Sequence, residues 1–373
     1  MKVVLFGPAA PFQGGVPLFT ETLTQKLRDA GHEAVIVGFR KLSFFSEKRA
    51  AAKSSDSIES VFIPWQPRTW KTTAEAIARH NPDLILVMWW LPIHAFAYRA
   101  VRKHLPPELQ LRWVYVIHDV ISHDRWPGEC WLAKGALASA GQFLVLSHGQ
   151  ERVLRQLLVA APVIITYAPH PLYDNCRKFT GGVATARKTL GLTAARVLLF
   201  FGYVRNYKGL DLLLKAMPEI LRDFPDTQLL IAGPFRERRA CYERLIKRLD
   251  IGPSIVVHDR YFSGDDIGLC FAAADCVILP YRRATQSGVI PAAYALNTPV
   301  IATRVDGLEE YVRDGETGYL IEPNNPAAIV DAVRRFYEAG RSDQYKAGIV
   351  AEAACYSWNS MIETLEDLTT TLP

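Results

Sequence analysis

Short apolar runs alternate with amphipathic segments along almost the whole chain, and this alternation constrains the fold more than any other feature. In the first half the runs occupy residues 3–6, 34–37, 84–88, 113–117, 143–146 and 163–166. Continuously apolar runs of this length are typical of strands that are buried on both faces of a parallel sheet. Between the first two, Val16, Phe19, Leu23 and Leu27 recur at spacings of three and four, which predicts a helix that Gly31 ends.

The alternation starts again after a polar, glycine-containing stretch at residues 174–185. The second set of runs occupies residues 197–201, 229–232, 255–257, 276–279 and 300–303. A chain of 373 residues is long enough for two domains with separate cores. We therefore predict an α/β fold of two Rossmann-like, doubly wound parallel sheets that face a deep cleft, with domains at residues 1–173 and 174–355.

Composition narrows the class of protein. The formal net charge of +5 suits anionic ligands or an anionic surface, but nucleic-acid binders usually carry a denser basic stripe. The six cysteines form no C-x-x-C pair and have no histidine at metal-ligand spacing, which predicts free thiols in a reducing compartment. The first apolar run is too short for a signal peptide, and no run reaches 18 residues, so we expect a cytoplasmic protein without a membrane span.

The first candidate loop follows the first predicted strand, at residues 11–16. Gly14 and Gly15 permit close approach of the backbone to a ligand, and the following helix start offers N–H groups to an anion. An ordinary strand-to-helix turn would have the same composition. A nicotinamide site is excluded, because G-x-G-x-x-G is missing and Arg40 and Lys41 stand where a ribose-binding acid is needed.

The second candidate loop, at residues 200–209, is the richest segment of the chain. Gly202 permits close backbone approach, and Arg205 and Lys208 lie three residues apart and can point at one pair of phosphates. Two fixed cations can stabilise the charge that develops on a leaving diphosphate. No D-x-D motif occurs to hold a metal, so we expect no metal here. The alternative is two solvated charges on a loop.

The third candidate segment, at residues 280–291, also follows a predicted strand. Small residues precede a helical pattern, and their backbone N–H groups could hold a phosphate or sugar hydroxyls. The residues concerned are Thr285, Gln286, Ser287, Gly288 and Val289. The alternative is an ordinary helix that Thr285 or Ser287 caps.

Two histidines follow the predicted strand at residues 113–117. His118 comes directly after it, where the carboxyl end of a strand meets the cleft, and His123 follows five residues later. We expect His123, like Gly14 of the first loop, to face the acceptor or a membrane surface. His118 could contact a substrate hydroxyl or phosphate, although a purely structural histidine is also compatible with the sequence.

A basic and aromatic stretch in the first half has the composition of a membrane-surface segment. Aromatic side chains would lie at headgroup depth and cations on the phosphates of anionic lipids. The residues concerned are Phe44, Phe45, Lys48 and Arg49, with Trp65, Trp70, Trp89 and Trp90 nearby in the sequence. The alternative is a solvated loop followed by core tryptophans.

These segments, in this order, resemble the retaining GT-B glycosyltransferases of family 4, also called group 1. The most specific motifs are F-G-x-x-R-x-x-K-G at 201–209, L-L-I-A-G-P at 229–234, A-D-C-V-I-L-P-Y at 274–281 and T-P-V-I-A-T at 298–303. The first half matches more loosely, in the glycine loop and in A-G-H-E at 30–33. The resemblance covers nearly the whole chain and implies that a terminal helix at residues 356–373 crosses back to the first domain.

The resemblance implies a retaining, metal-independent enzyme without a cofactor. It would move a sugar from a UDP- or GDP-linked donor to a glycan or lipid-linked acceptor, in glycolipid or exopolysaccharide synthesis. Arg205 and Lys208 would hold the donor diphosphate and Gly15 would close on it. The segment around Tyr261 would face the base, and His118 would contact the transferred sugar or the acceptor.

One departure from the family concerns the donor sugar and ribose. Typical members have two glutamates eight residues apart, and Ala284 and Ala292 occupy these positions. The chain resembles a variant without the pair, in which backbone N–H groups with Gln286 and Ser287 would recognise the donor. A nucleotide-sugar epimerase, a sugar phosphorylase and a catalytically weak nucleotide-sugar-binding protein remain alternatives on this fold.

Overall fold

The structure is a computed structural model, and it describes residues 1–41, 58–122, 126–159, 161–173, 179–262, 264–340 and 342–372. The chain divides into two compact units. The first comprises Met1–His170 together with Trp358–Pro373, and the second comprises Pro171–Ser357. The sequence analysis placed the boundaries after residues 173 and 355.

The first unit contains a parallel sheet of seven described strands. They are β1 (Lys2–Gly7), β2 (Glu33–Phe39), β3 (Ile58–Phe62), β4 (Leu84–Trp89), β5 (Trp113–Ile117), β6 (Gln142–Val145) and β7 (Ile164–Tyr167). The helices that alternate with them are α1 (Gly15–Asp29), α2 (Pro67–Arg79), α3 (Ala95–His104), α4 (Pro107–Leu111), α5 (Glu129–Leu137) and α6 (His148–Leu157). The strand order is β3-β2-β1-β4-β5-β6-β7, so the winding direction reverses between β1 and β4.

The second unit repeats this plan with six described strands. They are β8 (Arg196–Phe201), β9 (Thr227–Ala232), β10 (Ile255–His258), β11 (Cys276–Leu279), β12 (Val300–Thr303) and β13 (Gly318–Ile321). Its helices are α7 (Gly182–Thr189), α8 (Leu210–Asp223), α9 (Arg239–Arg248), α10 (Asp265–Ala273), α11 (Val289–Ala295), α12 (Pro326–Ala339) and α13 (Ser342–Ala353). The order is β10-β9-β8-β11-β12-β13, and the reversal lies between β8 and β11.

The terminal helix α14 (Trp358–Thr371) belongs to the first unit. Its buried side chains recur at spacings of three and four, as one face of a helix requires. They are Trp358, Met361, Ile362, Leu365 and Leu368, and they join the core cluster that holds the apolar face of α1 and one side of β1 and β4. The chain end therefore completes the hydrophobic cover of the first sheet.

The α/β class with two parallel sheets is confirmed, and every apolar run named above lies on a strand, except for at most one residue at an end. The sequence analysis did not predict β3 and β13. Strand β3 (IESVF) is interrupted by Glu59 and Ser60, and β13 (GYLI) begins with a glycine, so neither shows a run of four apolar side chains. Among the described residues, no helix is both long enough and apolar enough to cross a bilayer.

Candidate active site

The second and third candidate segments lie side by side in the second unit. They follow β8 and β11, which are hydrogen-bonded neighbours at the point where the winding direction reverses. In open α/β sheets this switch point leaves a crevice beyond the carboxyl ends of the strands, and ligands bind there. The fold thus brings together two segments that are some seventy residues apart in the sequence.

Gly202 opens the loop after β8 in a conformation that favours glycine. Its φ is +94°, and a methyl group at this position would lie 3.0 Å from Lys208 Nζ and 3.9 Å from Val289 Cγ2. A side chain here would both strain the backbone and press on the ammonium group. Three predicted site residues, Gly202, Lys208 and Val289, are therefore in one place.

Lys208 is a buried cation. Its side chain lies over the ring of Tyr281, with Nζ 5.3 Å from the ring centroid, and only 8% of the residue is exposed. Among the described residues, no carboxylate lies within ion-pair distance of Nζ. Burial lowers the pKa of Lys208, and the charge of Arg205 lowers it further, while Tyr207 acts in the opposite direction. An anion bound beside this ammonium group would relieve both effects.

Arg205 lies on the same turn as Lys208. The carbonyl of Arg205 accepts a hydrogen bond from the N–H of Lys208 at 3.0 Å, and residues Asn206–Lys208 form a single 3-10 turn. Arg205 is half-buried. The turn holds the two cationic residues on one short segment, as the sequence predicted.

The segment after β11 is more tightly packed than the sequence indicated. Helix α11 begins at Val289 with Gly288 as its N-cap. Ser287 Oγ accepts from the N–H of Val289, the first residue of this helix, at 3.3 Å. Gln286 and Thr285 rest against Gly307, where a methyl group would lie 2.1 Å from the carbonyl oxygen of Thr285.

Tyr261 lies in the loop after β10 and is half-buried. Its ring centroid is 6.2 Å from that of Tyr203, in the loop after β8, and the guanidinium of Arg236 lies 4.8 Å from the Tyr203 ring centroid. The loops after β8, β9 and β10 thus carry an aromatic and cationic surface at the carboxyl edge of the sheet. Planar groups such as nucleobases stack well on such a surface.

In the first unit, His118 follows β5 and is 6% exposed. Its ring packs edge-on against Phe19 of α1, at 4.9 Å between centroids, and its buried Nε2 has no hydrogen-bond partner in the described structure. Burial, with a smaller contribution from His170, lowers the pKa of His118 to about 3. The imidazole is therefore neutral near pH 7, and it can exchange a hydrogen bond but offers no positive charge.

The glycine loop of the first unit also stands at a switch point, after β1. Helix α1 begins at Gly15, which is exposed, and Gly14 is its N-cap with φ of +141°. The sequence analysis missed Glu21, whose carboxylate accepts a 2.5 Å hydrogen bond from the N–H of Ala10 and braces this loop; burial raises its pKa.

The tryptophans that the sequence analysis placed near a membrane surface are buried or half-buried. Trp89 is fully buried in the first core, where Nε1 donates to the carbonyl of Val120 at 3.2 Å. Trp65, Trp70 and Trp90 are half-buried. The other residues assigned to this surface, and one assigned to the acceptor, lie outside the described residues: Phe44, Phe45, Lys48, Arg49 and His123. Strand β4 buries both its faces, which explains the position of Trp89.

No group of three or more histidine, cysteine or acidic side chains with the arrangement of a metal site occurs in the described part of the chain. The positions of the missing glutamate pair, Ala284 and Ala292, are both buried at 4% exposure. Neither side chain can contact a ligand through a polar atom.

Comparison with known proteins matches both halves of the chain to one family. Residues 13–171 match the model described as glycosyltransferase family 4, and residues 195–339 match that of glycosyl transferases group 1. The D-inositol 3-phosphate glycosyltransferase of Acidothermus cellulolyticus is 30% identical over 246 residues, which cover 64% of this chain and 55% of the relative. Its counterpart in Catenulispora acidiphila is 32% identical over 62% of this chain and 58% of the relative. The matches thus span little more than half the length of these relatives.

Solved structures resemble the chain over its full length. Anabaena HepE in complex with UDP-glucose has a TM-score of 0.79 at 16% identity, with 99% of this chain and 100% of that chain covered. Sucrose-phosphate synthase from Thermosynechococcus elongatus has a TM-score of 0.76 at 21% identity, with 100% and 99% covered. At these identities the likeness concerns the fold, and it confirms the predicted GT-B class. With both halves matched by its models, the chain belongs to the family 4, group 1 glycosyltransferases.

Proposed function

We propose that this protein transfers a sugar from a UDP- or GDP-linked donor and that Arg205 and Lys208 bind the diphosphate. The observation that carries the proposal is the buried ammonium group of Lys208, which lies beside Arg205 at a switch point without a carboxylate partner in the described structure. A diphosphate supplies the missing negative charge. As the bond to the sugar breaks, charge builds up on the leaving phosphate, and fixed cations stabilise it most at that stage.

The proposed reaction needs neither metal nor cofactor and retains the anomeric configuration. The acceptor hydroxyl attacks from the side on which the nucleoside diphosphate leaves, and the leaving phosphate takes the proton. The protein contributes position and charge rather than a dedicated base. His118, which is neutral, would contact the transferred sugar or the acceptor through a hydrogen bond, and Gly15 would approach the phosphates.

Calorimetric titration of the wild-type protein with UDP and with GDP, in the presence of EDTA, tests the donor class. We expect one of the two to bind with a Kd in the micromolar range that is typical of enzyme substrates. Complexes of HepE with UDP and UDP-glucose favour UDP. Binding of neither nucleotide would contradict the proposal, and binding only after Mg²⁺ is added would contradict its metal-free part.

The acceptor is proposed to be a glycan or a lipid-linked saccharide. The curated relatives are named for D-inositol 3-phosphate, so a phosphorylated cyclitol is a second candidate. Incubation of the protein with its donor and each acceptor class, followed by NMR of the new anomeric proton, distinguishes the two and also reads the configuration of the product.

We also propose that the first unit contacts an anionic membrane, through a surface that differs from the one predicted. Three large apolar side chains on and before α3 and α5 are strongly exposed: Ile93 at 65%, Phe96 at 58% and Trp131 at 72%. The exposed charged residues on these two helices are Arg99, Lys103 and Lys134. The acid of α5, Glu129, is buried, and its carboxylate accepts from the N–H of Ser122. Apolar side chains among cations, without exposed acids on the same helices, suit anionic lipids.

Flotation with vesicles of phosphatidylcholine, with and without phosphatidylglycerol, tests this surface. We expect the wild type to float with the anionic vesicles at low salt, and Ile93→Ser with Trp131→Ser to weaken binding about tenfold, because less apolar area is buried. The control is Ile164→Ser, which removes an isoleucine of similar exposure, 56%, from β7 of the same unit. Equal flotation of all three proteins, or binding to neutral vesicles alone, would overturn the proposal.

A further inference from the structure

The turn that carries the two cations is held by a side chain from a different strand end. Asn206 and Tyr207 separate Arg205 from Lys208. Nη1 of Arg282, just after β11, donates to the carbonyl of Asn206 at 2.7 Å, and the backbone N–H of Arg282 donates to the carbonyl of Tyr207, also at 2.7 Å. One residue therefore holds two of the three peptide units between the cations.

The other end of the same guanidinium is anchored on α8. Nη2 of Arg282 donates to both carboxylate oxygens of Asp211, at 2.8 Å each, and Asp211 stands in the first turn of that helix. The two side chains are 27% and 26% exposed. Charge-assisted hydrogen bonds are stronger than neutral ones, and the planar guanidinium group uses its two terminal nitrogens on different partners, Nη1 on Asn206 and Nη2 on Asp211. The pair links the end of β11, the cationic turn and the start of α8.

A third contact completes the support. The N–H of Asn206 donates to Glu237 Oε1 at 2.5 Å. The N–H and the carbonyl group of Asn206 are therefore both bound by charged side chains, Glu237 and Arg282. Asn206, Asp211 and Glu237 also line an open cavity of about 510 Å³ between α8 and α9. Since the network borders solvent, it adds little to core packing, and its geometry serves the turn.

We propose that Arg282, held by Asp211, is a positioning residue for the diphosphate-binding cations. This inference rests on the function proposed above and adds a residue to it. Arg205 and Lys208 carry like charges on one short turn; burial is the main cause of the lowered pKa of Lys208, and the charge of Arg205 adds a smaller contribution in the same direction. A turn under such repulsion needs a rigid backbone to present both charges to one ligand. Arg282 supplies that rigidity through the backbone.

The test measures how much affinity the second phosphate adds. Calorimetry with the nucleotides of whichever base binds gives the Kd of the nucleoside monophosphate and of the diphosphate. The Kd of the monophosphate divided by that of the diphosphate measures how much affinity the terminal phosphate adds. We expect Arg282→Ala to reduce this ratio about tenfold, the scale for losing one well-placed charge-assisted contact. Arg282→Lys should restore part of it, since a lysine keeps the charge but not the fork.

Arg334→Ala is the matched control. Arg334 also pairs with an aspartate of α8, Asp223, at 2.6 Å and at similar exposure, but at the opposite end of the helix. We expect the ratio to stay at the wild-type value in this variant. In a Lys208→Ala background, adding Arg282→Ala should reduce the ratio by less than it does in the wild type, because only Arg205 is then left to position.

The outcomes separate this inference from the proposed function. If the wild type binds a diphosphate and Arg282→Ala keeps its ratio, or loses mono- and diphosphate affinity equally, the positioning role is wrong. If the wild type binds neither UDP nor GDP, the proposed function fails. Hydrogen exchange at residues 202–209 then tests whether Arg282 holds the turn. Faster exchange in Arg282→Ala than in Arg334→Ala would support this role, and equal exchange would refute it.

Discussion

Replacement of Lys208 by alanine should reduce turnover by a factor on the order of 10² to 10³, the range for removing one group that stabilises a developing anion. The ammonium group is buried beside Arg205, so bulk water screens it little. Its loss leaves the leaving diphosphate with one fixed cation. Initial rates with the bound donor and a saturating acceptor measure the effect, and calorimetry measures the accompanying loss of affinity for the nucleoside diphosphate.

The control is Lys247→Ala, which removes one positive charge from the exposed surface of α9 in the same unit. We expect its turnover to match that of the wild type, because an exposed charge at a distance is screened by salt. If Lys208→Ala retained activity within tenfold of the wild type, the assignment of the diphosphate to this turn would be wrong.

Replacement of Trp89 by alanine should lower the free energy of unfolding of the first unit by about 3 to 5 kcal/mol, the usual range for a large aromatic residue in a core. Trp89 is fully buried, packs against Tyr98 and Tyr115 at 6.0 and 5.4 Å between ring centroids, and donates a hydrogen bond to Val120. The substitution leaves a cavity and an unpaired carbonyl group. Urea unfolding gives the shift in midpoint, and hydrogen exchange of the strand peptides shows which unit has lost protection.

Trp131→Ala is the companion variant, since it removes the same side chain from a position that is 72% exposed. Its stability should stay within about 0.5 kcal/mol of the wild type. The Trp89 variant would then lose stability, whereas the Trp131 variant would lose vesicle binding. Similar unfolding midpoints for the two variants would show that the packing around Trp89 has been misjudged.

The strands and the cationic turn could be predicted because each has a local signal. A continuously apolar run predicts a strand buried on both faces, and the residues that follow it must lie at the carboxyl edge of the sheet. Arg205, Lys208 and Gly202 are adjacent in sequence, so their proximity needed no knowledge of long-range pairing. Strand β3 was missed because Glu59 and Ser60 interrupt its apolar run.

The support of the turn and the exposed face could not be predicted, because they depend on pairings across the fold. Arg282 and Arg283 are equivalent in the sequence, yet only the former returns to Asp211, 71 residues earlier. Composition likewise gave no means to distinguish Trp89, which lies in a central strand, from Trp131, which lies on the outer side of α5. Whether a tryptophan is buried or exposed depends on how the sheet and helices pack together, which composition does not reveal.

The unpaired burial of Lys208 has a consequence for the empty enzyme. A desolvated ammonium group without a counter-ion opposes folding, so the second unit without ligand stands below the stability that its core alone would give. A bound diphosphate removes this cost, and the ligand then stabilises the unit through mass action. If the donor diphosphate binds at Lys208 as proposed, the stability of the folded protein rises with donor concentration, and the protein without donor is more open to proteolysis.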